Sequence, residues 1–426
     1  MMLSVHQHWD PLKVCAVGRC YPPEYFNYIQ NLRVREVFHR IAEETEEDYQ
    51  KLISVLEKFD VKVIRTDISE NPEDHIRPDG VMSYPPMFPR DLTAMIGNRF
   101  FMPGNNFGKN IDIDSELHEI INTNSLNNLS DIGKDIISYV YDLTFPGRPV
   151  SLATQKMLLK SLRRKNINLM EIVDTEDLKN IIIQAHTNTI MKPTRYIWDE
   201  KVYPYKTLEK FLKDNGTEIV YDQYINSANT TRVGKDLFFG LNNIINKINE
   251  KNFMKKWQKL FPNYNVHQVS VPGHNDGVFC PVKPGLIITL KKPDYYKDTF
   301  PGWEVVRLKG ESVNKIRPFL DKKKKTKGRY WVSNAGDEFY DYVNEWMDDW
   351  VGYVEETVFD VNMLVIDENN VIVNGRNEEA FNAFERHGVT PHILNFRHRY
   401  FWDGGLHCIT SDISREGVQK SLQEYN

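Results

Sequence analysis

Short apolar segments, each interrupted by a turn, recur along the whole chain and constrain its fold more than any other feature. Four of them, residues 94–104, 232–240, 282–290 and 363–374, place apolar residues on both sides of a turn of Gly, Asn, Asp, Lys or Pro. This is the pattern of a tight β-hairpin. A fifth β-rich piece covers residues 12–18, and helical patterns lie at residues 35–59, 241–260 and 378–387, the last ending at Gly388 as at a helix C-cap. A hairpin with a helix, repeated about five times, predicts a closed repeat architecture, and an ordinary mixed α+β fold is the alternative.

The composition indicates a globular protein in a reducing compartment. Of the 426 residues 41% are apolar, which is enough for a substantial core, and the net charge of −5 argues against binding nucleic acid through bulk positive charge. Lysines 322–325 have acidic neighbours and are interpreted as a solvated loop. Four cysteines show neither metal-ligand spacing nor a disulfide framework, and no apolar run approaches the ~20 residues that span a bilayer. With no signal segment at the start, we expect a cytoplasmic protein without a metal, a cofactor or a membrane contact.

Two stretches look inserted between the repeated units, at about 105–190 and 308–350, within a chain expected to form a single domain over residues 1–426. In the second stretch Phe339, Val343, Trp346 and Trp350 recur at helical spacing with acids between them. Two interpretations remain open for residues 337–350, a lid that selects a cationic or extended amine and an amphipathic helix packed on the core.

Two short clusters place charged side chains beside predicted strands. In PPMFPRD, residues 85–91, the prolines stiffen the chain so that Arg90 and Asp91 project from it, and a structural turn with a surface ion pair is the alternative. In VPGHNDGVF, residues 271–279, His274 and Asp276 are two residues apart and share one face of an extended segment. The glycines around this pair favour a ligand site over a structural histidine.

The third cluster, DGGLHCIT at residues 403–410, contains Cys408 behind Gly404 and Gly405. Two glycines there are interpreted as room for a substrate that approaches a thiol nucleophile. His407 is expected to face away from the site, because adjacent strand residues point to opposite faces.

A thiol, an imidazole and two carboxylates on separate loops suggest one type of chemistry. A histidine can activate a cysteine nucleophile. Paired carboxylates would repel the oxyanion that forms in acyl transfer, whereas they bind the planar fork of a guanidinium. The combination therefore suggests attack of a thiol on a guanidino carbon.

At this point the sequence resembles a known family. The segments HWDPLKVCAVGR, PRD followed by IGN, RVGKD, HND and GGLHCITSDISR are similar, in this order, to those of the glycine and inosamine amidinotransferases of the pentein superfamily. The landmarks extend from residue 8 to about residue 416. The resemblance implies an α/β propeller of five pseudo-repeated ββαβ units around a central active site.

The resemblance also implies roles for individual residues. Cys408 would be the nucleophile, His274 the general acid/base, and Asp276 and Asp91 the carboxylates that hold the guanidino group. Five further positions are expected to bind substrate: Arg90, Asn226, Asn229, Tyr295 and Gly405. The expected partners are a small guanidino donor and an amine acceptor, with a homodimer as a further expectation.

Two departures from the family pattern affect the substrate. The family has D-A-A-D before RVGKD, whereas this chain has Asn226-Ser227-Ala228-Asn229, which removes two charges. Asp222, four residues upstream, is a candidate to compensate for them. After LKKPD, where arginine-using relatives carry an arginine, this chain has Tyr295. Three functions remain open: an amidinotransferase, a hydrolase in which water resolves the cysteine adduct, and a non-catalytic binding protein on the same scaffold.

Overall fold

The computed structural model describes residues 3–76, 82–103, 201–222, 225–241, 254–255, 257–270, 274–308, 332–347 and 359–425. The insertion expected at 105–190 and the lysines 322–325 lie outside these residues, as do most of the insertion at 308–350 and much of the helix predicted at 241–260.

Fifteen strands in the described part form five sheets of three strands each. The strands are β1 (Leu12–Val17), β2 (Lys62–Arg65), β3 (Ala94–Ile96), β4 (Arg99–Met102), β5 (Glu218–Tyr221), β6 (Thr230–Val233), β7 (Asp236–Leu241), β8 (Asn265–Ser270), β9 (Phe279–Lys283), β10 (Leu286–Thr289), β11 (Glu304–Arg307), β12 (Leu364–Asp367), β13 (Asn370–Val373), β14 (Thr390–Ile393) and β15 (Thr410–Arg415).

All five sheets share one pattern, in which the central strand pairs antiparallel with one neighbour and parallel with the other. Four sheets begin with a hairpin of consecutive strands, β3–β4, β6–β7, β9–β10 and β12–β13, which confirms the four predicted hairpins. The fifth sheet has the order β15-β1-β2, so that the strand at 12–18 pairs with a strand from the other end of the chain. The predicted five-fold pseudo-repeat is confirmed, and the last unit is completed by both ends of the chain.

Helices connect the second and third strands of several units. The described helices are α1 (Leu32–Lys58), α2 (Lys206–Asp214), α3 (Asp337–Trp346), α4 (Glu378–Arg386) and α5 (Arg399–Trp402). Asn31 caps α1 by accepting hydrogen bonds from the backbone N–H groups of Arg33 and Val34. Gly388 follows α4 with φ of +65°, a conformation that favours glycine. The helices predicted at 35–59 and 378–387 are thus confirmed.

Helix α3 packs on α1 through its apolar face. The rings of Phe339 and Phe38 are 5.1 Å apart, and Val343 is fully buried. On the exposed side Glu338 pairs with Arg33 at 2.9 Å. The interpretation of this stretch as an amphipathic helix on the core is confirmed for residues 337–346, and Trp350 lies outside the described residues.

A buried ion network joins β15 to β6 and to the segment before β3, next to the turn at residues 403–409 (the Cys408 loop). The carboxylate of Asp412 in β15 accepts hydrogen bonds from Arg90 at 2.6 Å, Arg232 at 2.9 Å and Arg415 at 2.9 Å, and all four side chains are essentially inaccessible. Burial alone would raise the pKa of Asp412, but the three guanidinium groups hold it well below its usual range. Since Arg90 precedes β3 and Arg232 lies in β6, this carboxylate fixes the ends of separate repeat units relative to β15.

Candidate active site

Cys408 lies in the turn between α5 and β15, and its side chain is 2% exposed. Its Sγ is 3.0 Å from Nδ2 of Asn362 and 3.8 Å from Oδ2 of Asp276. The structure therefore brings together the predicted nucleophile, one predicted carboxylate and an asparagine that sequence reasoning missed.

The two glycines before Cys408 make room for the protein itself. A Cβ on Gly405 would lie 2.5 Å from Oδ1 of Asn362, and a Cβ on Gly404 would lie 2.6 Å from the ring of Phe88. Contacts this short exclude any side chain without rearrangement. The space beside these glycines is thus taken by Phe88 and Asn362, which pack against the turn that carries Cys408, and the substrate-binding role of Gly405 stays a prediction.

Asn362 contacts three members of this cluster, Cys408, Asp276 and His407. Its Nδ2 donates to Sγ of Cys408 and, at 3.3 Å, to Oδ2 of Asp276. Its Oδ1 accepts from the backbone N–H of His407 at 3.0 Å and of Cys408 at 3.4 Å. The available signal was its place in DVNMLVID, immediately before the hairpin β12–β13, but an asparagine before a strand is too common to indicate a site.

His407 belongs to the same cluster, which corrects the expectation that it faces away. Its Nδ1 is hydrogen-bonded to Oδ2 of Asp276 at 2.7 Å, and its side chain is 7% exposed. The alternation rule failed because residues 406–409 form a turn and the strand begins only at Thr410.

Burial moves the pKa values of both members of this pair towards their neutral forms. Burial and then the charge of Asp91 raise the pKa of Asp276 to about 8, against the opposing effect of Arg90. Burial and the positive charge of Arg90 lower the pKa of His407 well below its usual range. At neutral pH one proton is thus held between the carboxyl group and the imidazole. Oδ1, the other oxygen of Asp276, is buried and has no hydrogen-bond partner within the described part of the chain.

His274 and Asp91, the other predicted pair, lie next to each other. Nδ1 of His274 is 3.7 Å from Oδ1 of Asp91, with both side chains largely buried. His274 directly precedes the short 3₁₀ helix Asn275–Gly277 that carries Asp276, and Asp91 ends the 3₁₀ helix Pro89–Asp91. The negative charge of Asp91 contributes to the raised pKa of Asp276.

Arg90 is part of the scaffold under this region. Its side chain is fully buried, with Nε donating to the backbone oxygen of His407 at 2.6 Å and Nη2 donating to Asp412. The alternative of a surface ion pair in the Arg90-Asp91 dipeptide is wrong, because Arg90 is buried and pairs with Asp412, whereas Asp91 lies beside His274. The expected contact between Arg90 and substrate stays a prediction, while the structure shows that Arg90 fixes the Cys408 loop.

Three further residues predicted to bind substrate, Asn226, Asn229 and Tyr295, differ in their exposure to solvent. Oδ1 of Asn226 accepts from the backbone N–H of Asn229 at 2.9 Å, and both asparagines are half-buried. Oδ1 of Asp222 accepts a hydrogen bond from the backbone N–H of Ile225 at 3.1 Å. Tyr295 is 45% exposed and packs edge-on against Tyr296. Their substrate contacts stay predictions.

The other three cysteines are buried in the core. Burial raises the pKa of Cys15 and of Cys280 to about 12 and raises that of Cys20 still further, so that these thiols stay protonated. All four cysteines are free thiols. Within the described ranges no group of three or more His, Cys, Asp and Glu side chains could hold a metal ion, and no helix there is long and apolar enough to cross a membrane.

Curated proteins with similar sequences are amidinotransferases. The chain is 25% identical over 252 residues to the mitochondrial glycine amidinotransferase of Xenopus laevis, a match that covers 56% of this chain and 50% of that protein. It is 23% identical over 282 residues to inosamine-phosphate amidinotransferase 1 of Streptomyces glaucescens, covering 64% of this chain and 68% of that protein. The chain thus spans about half the length of the glycine amidinotransferases that it matches. No family model matches the sequence.

A solved structure shares the fold over nearly the whole chain. An amidinotransferase from Microseira wollei in the saxitoxin biosynthetic pathway superimposes with a TM-score of 0.52 at 14% identity, covering 99% of this chain and 100% of that one. This likeness agrees with the five three-stranded sheets described above. The chain is therefore similar in sequence to amidinotransferases and shares the fold of one of them, as the sequence motifs predicted.

Proposed function

We propose that the protein is an amidinotransferase that moves an amidino group from a guanidino donor to an amine acceptor, with Cys408 as the covalent nucleophile. The observation that carries the proposal is the juxtaposition of a thiol with two carboxylates. Sγ of Cys408 lies 3.8 Å from Asp276, and Asp91 is near enough to raise the pKa of Asp276. Two buried carboxyl groups beside a nucleophile disfavour ionisation of both until a cation lies between them.

A guanidinium is the cation that fits this arrangement best. It presents planar N–H groups that bind carboxylates through two parallel hydrogen bonds. The unpartnered Oδ1 of Asp276 is an acceptor for one of these N–H groups. Binding of the cation would also favour the ionised form of Asp276, since an opposite charge lowers the pKa of a carboxyl group. The guanidino carbon would then lie beside Sγ of Cys408.

The reaction proceeds in two balanced steps. In the first, the thiolate of Cys408 attacks the guanidino carbon, a C–S bond forms, and the C–N bond to the donor amine breaks as that nitrogen takes a proton from His274. In the second, the neutral imidazole takes a proton from the acceptor amine, which attacks the amidino carbon, and the C–S bond breaks to release the thiolate. Asp91, 3.7 Å from His274, stabilises the imidazolium that is present before the first step and is regenerated by the second.

The same intermediate would give hydrolysis if water replaced the amine acceptor. The sequence matches to amidinotransferases favour transfer. We further propose that residues 1–426 form one catalytic domain, with the stretches at 105–190 and 308–350 as insertions, and that it forms a homodimer. Four free thiols support a reducing compartment such as the cytoplasm.

Detection of the intermediate tests the proposal. The protein is incubated with arginine and a panel of other guanidines, with and without primary amine acceptors, and analysed by mass spectrometry of the peptide that contains Cys408. We expect a guanidine-dependent amidino adduct on Cys408 that disappears when a competent amine is added, with appearance of the new guanidine.

Two variants make the test specific. Cys408→Ala should form no adduct and lose turnover while keeping its thermal unfolding midpoint, whereas Cys280→Ala, a change of another buried thiol, should retain turnover. A Cys408→Ala protein that keeps a tenth of the wild-type rate would rule out the covalent mechanism. Release of the adduct by water at the same rate with and without amines would identify a hydrolase, and no adduct with any guanidine would favour a binding protein.

A further inference from the structure

We propose that Asn362 is a positioning residue that sets the reactivity of Cys408, by donating a hydrogen bond from its side-chain amide to Sγ and by fixing the thiol against Asp276. The proposal rests on the proposed role of Cys408 as nucleophile. It assigns to this asparagine a function beyond the family's catalytic residues named above.

The side chain of Asn362 is fully buried and bonds on both sides of its amide group. The nitrogen reaches Sγ of Cys408 at 3.0 Å and Oδ2 of Asp276 at 3.3 Å, while the oxygen accepts from the backbone of His407 and Cys408. The one amide group is therefore hydrogen-bonded to the proposed nucleophile, to the carboxyl group of Asp276 and to the backbone of residues 407–408.

The position of this amide is set by its own backbone. The N–H of Asn362 donates to the backbone oxygen of Phe359 at 3.2 Å, and its C=O accepts from Nδ2 of Asn374 at 3.0 Å. Nδ2 of Asn374 also donates to Phe359 at 2.9 Å, which closes the turn before β12. The missing Cβ of Gly405 leaves the space that Oδ1 of Asn362 occupies. The amide is thus preorganised before any substrate binds.

The surroundings of Cys408 show why such a donor is needed. Burial disfavours the thiolate, and Asp276, when ionised, repels it from 3.8 Å. His407 is held neutral and is hydrogen-bonded to Oδ2 of Asp276, the oxygen nearest the thiol. Arg90 donates to the backbone oxygen of His407, and the charge of Asp91 acts on Asp276. An amide N–H stabilises the thiolate without adding a charge that would repel a guanidinium.

Two substitutions distinguish the loss of the N–H donor of Asn362 from the loss of its other side-chain contacts. Asn362→Asp keeps an oxygen for the backbone N–H groups of His407 and Cys408 but loses the N–H donor, and Asn362→Leu removes all four contacts at similar volume. Thr410→Val is the matched control: it removes the hydroxyl bonds to the backbone oxygens of Leu406 and His407 in the same turn and does not contact the thiol.

The measurement is the pH dependence of the thiolate in the full chain without substrate. It is followed by ultraviolet absorbance against a Cys408→Ser reference and by the rate of alkylation with iodoacetamide. Loss of one hydrogen bond to a charged group predicts an alkylation rate at neutral pH about tenfold to a hundredfold lower in both Asn362 variants. The midpoint of each profile should move to higher pH, and the Thr410→Val profile should match the wild type.

Each outcome decides the proposal. Unchanged profiles in both folded variants would overturn it, as would a change in Asn362→Asp alone with Asn362→Leu like the wild type, because the added charge would then account for the effect. An equal change in Thr410→Val would assign the effect to a loosened turn and would also overturn it. Since no substrate is used, the result is independent of whether the protein transfers amidino groups.

Discussion

Replacement of Asp276 by asparagine should stabilise the protein increasingly as the pH rises. The structure buries this carboxyl group at 5% exposure, beside a second carboxylate, and raises its pKa from 3.8 to about 8. Between these two values the folded protein keeps a proton on Asp276 that the unfolded chain has already released. The free energy of unfolding therefore falls as the pH rises through this window, and the stabilising contribution of the protonated group is lost above about pH 8.

The magnitude follows from the width of the window. Each pH unit between the two pKa values costs the wild type about 1.4 kcal/mol. Asp276→Asn has no proton to lose and nearly the same shape, so the variant should differ little from the wild type near pH 4 and exceed it by several kcal/mol near pH 8. The same variant should lose turnover, because the proposed acceptor for the guanidinium is gone.

Urea unfolding at a series of pH values, followed by tryptophan fluorescence, measures this difference. The slope of the free energy of unfolding against urea concentration should stay equal in the two proteins, so that the comparison reports stability alone. Glu416→Gln, which removes one carboxylate at an exposed site, controls for the change in net charge. A stability difference between Asp276→Asn and wild type that is constant across the pH series would refute the reasoning, since it would mean that the folded protein holds Asp276 ionised.

Three further predictions concern the histidines, the ion network and the substrate. His274→Ala should lower kcat by about 10²–10⁴-fold, which is the usual contribution of positioned proton transfer. His407→Ala should act mainly on KM for the guanidine, through its hydrogen bond to Asp276. Steady-state kinetics in which His407→Ala showed the larger loss in kcat would contradict this assignment. Asp412→Asn should lower the free energy of unfolding by about 3–5 kcal/mol, because three buried guanidinium groups lose their counter-charge, and a urea midpoint like the wild type would show that Asp412 does not balance them. Free arginine should be a poor donor for the wild type and a better one for Asn226→Asp, as measured by adduct formation on Cys408, and efficient use of arginine by the wild type would show that the amide is no handicap.

The fold was predictable because each repeated unit has sequence features that depend on a few neighbouring residues. Four hairpins and the helices at 35–59 and 378–387 follow from apolar segments, turn residues and a C-cap glycine, all of which act over a few residues. The pairing of β1 with β15 joins residues about 400 positions apart in a closed repeat, and nothing local in Leu12–Val17 indicates it. The sequence therefore predicted a strand at 12–18 but not its partner β15.

The site was predictable only in part, for physical reasons that differ between residues. The side-chain chemistry alone makes four residues candidates for the site, since they carry a thiol, an imidazole or a carboxyl group: Cys408, His274, Asp276 and Asp91. Asn362 has no reactive group and acts through position, which depends on the close approach at Gly405. His407 was assigned to the wrong face because a strand was assumed where the chain turns, and the two faces of a turn do not alternate.

The motifs that identify the family contribute more to the scaffold than to the choice of substrate. PRD, RVGKD and SDISR each supply one of the arginines that meet at Asp412, and Arg90 extends this network to the backbone oxygen of His407 beside the thiol. Such a network fixes where Sγ of Cys408 lies, whichever guanidine is bound. The departures from the family pattern, at Asn226, Asn229 and Tyr295, all lie outside it, since the asparagines are half-buried and the tyrosine is largely exposed. If Cys408 is the nucleophile as proposed, these three side chains are placed to change the donor while the arginine network keeps the thiol in position, and the amides and the tyrosine then argue for a donor other than arginine.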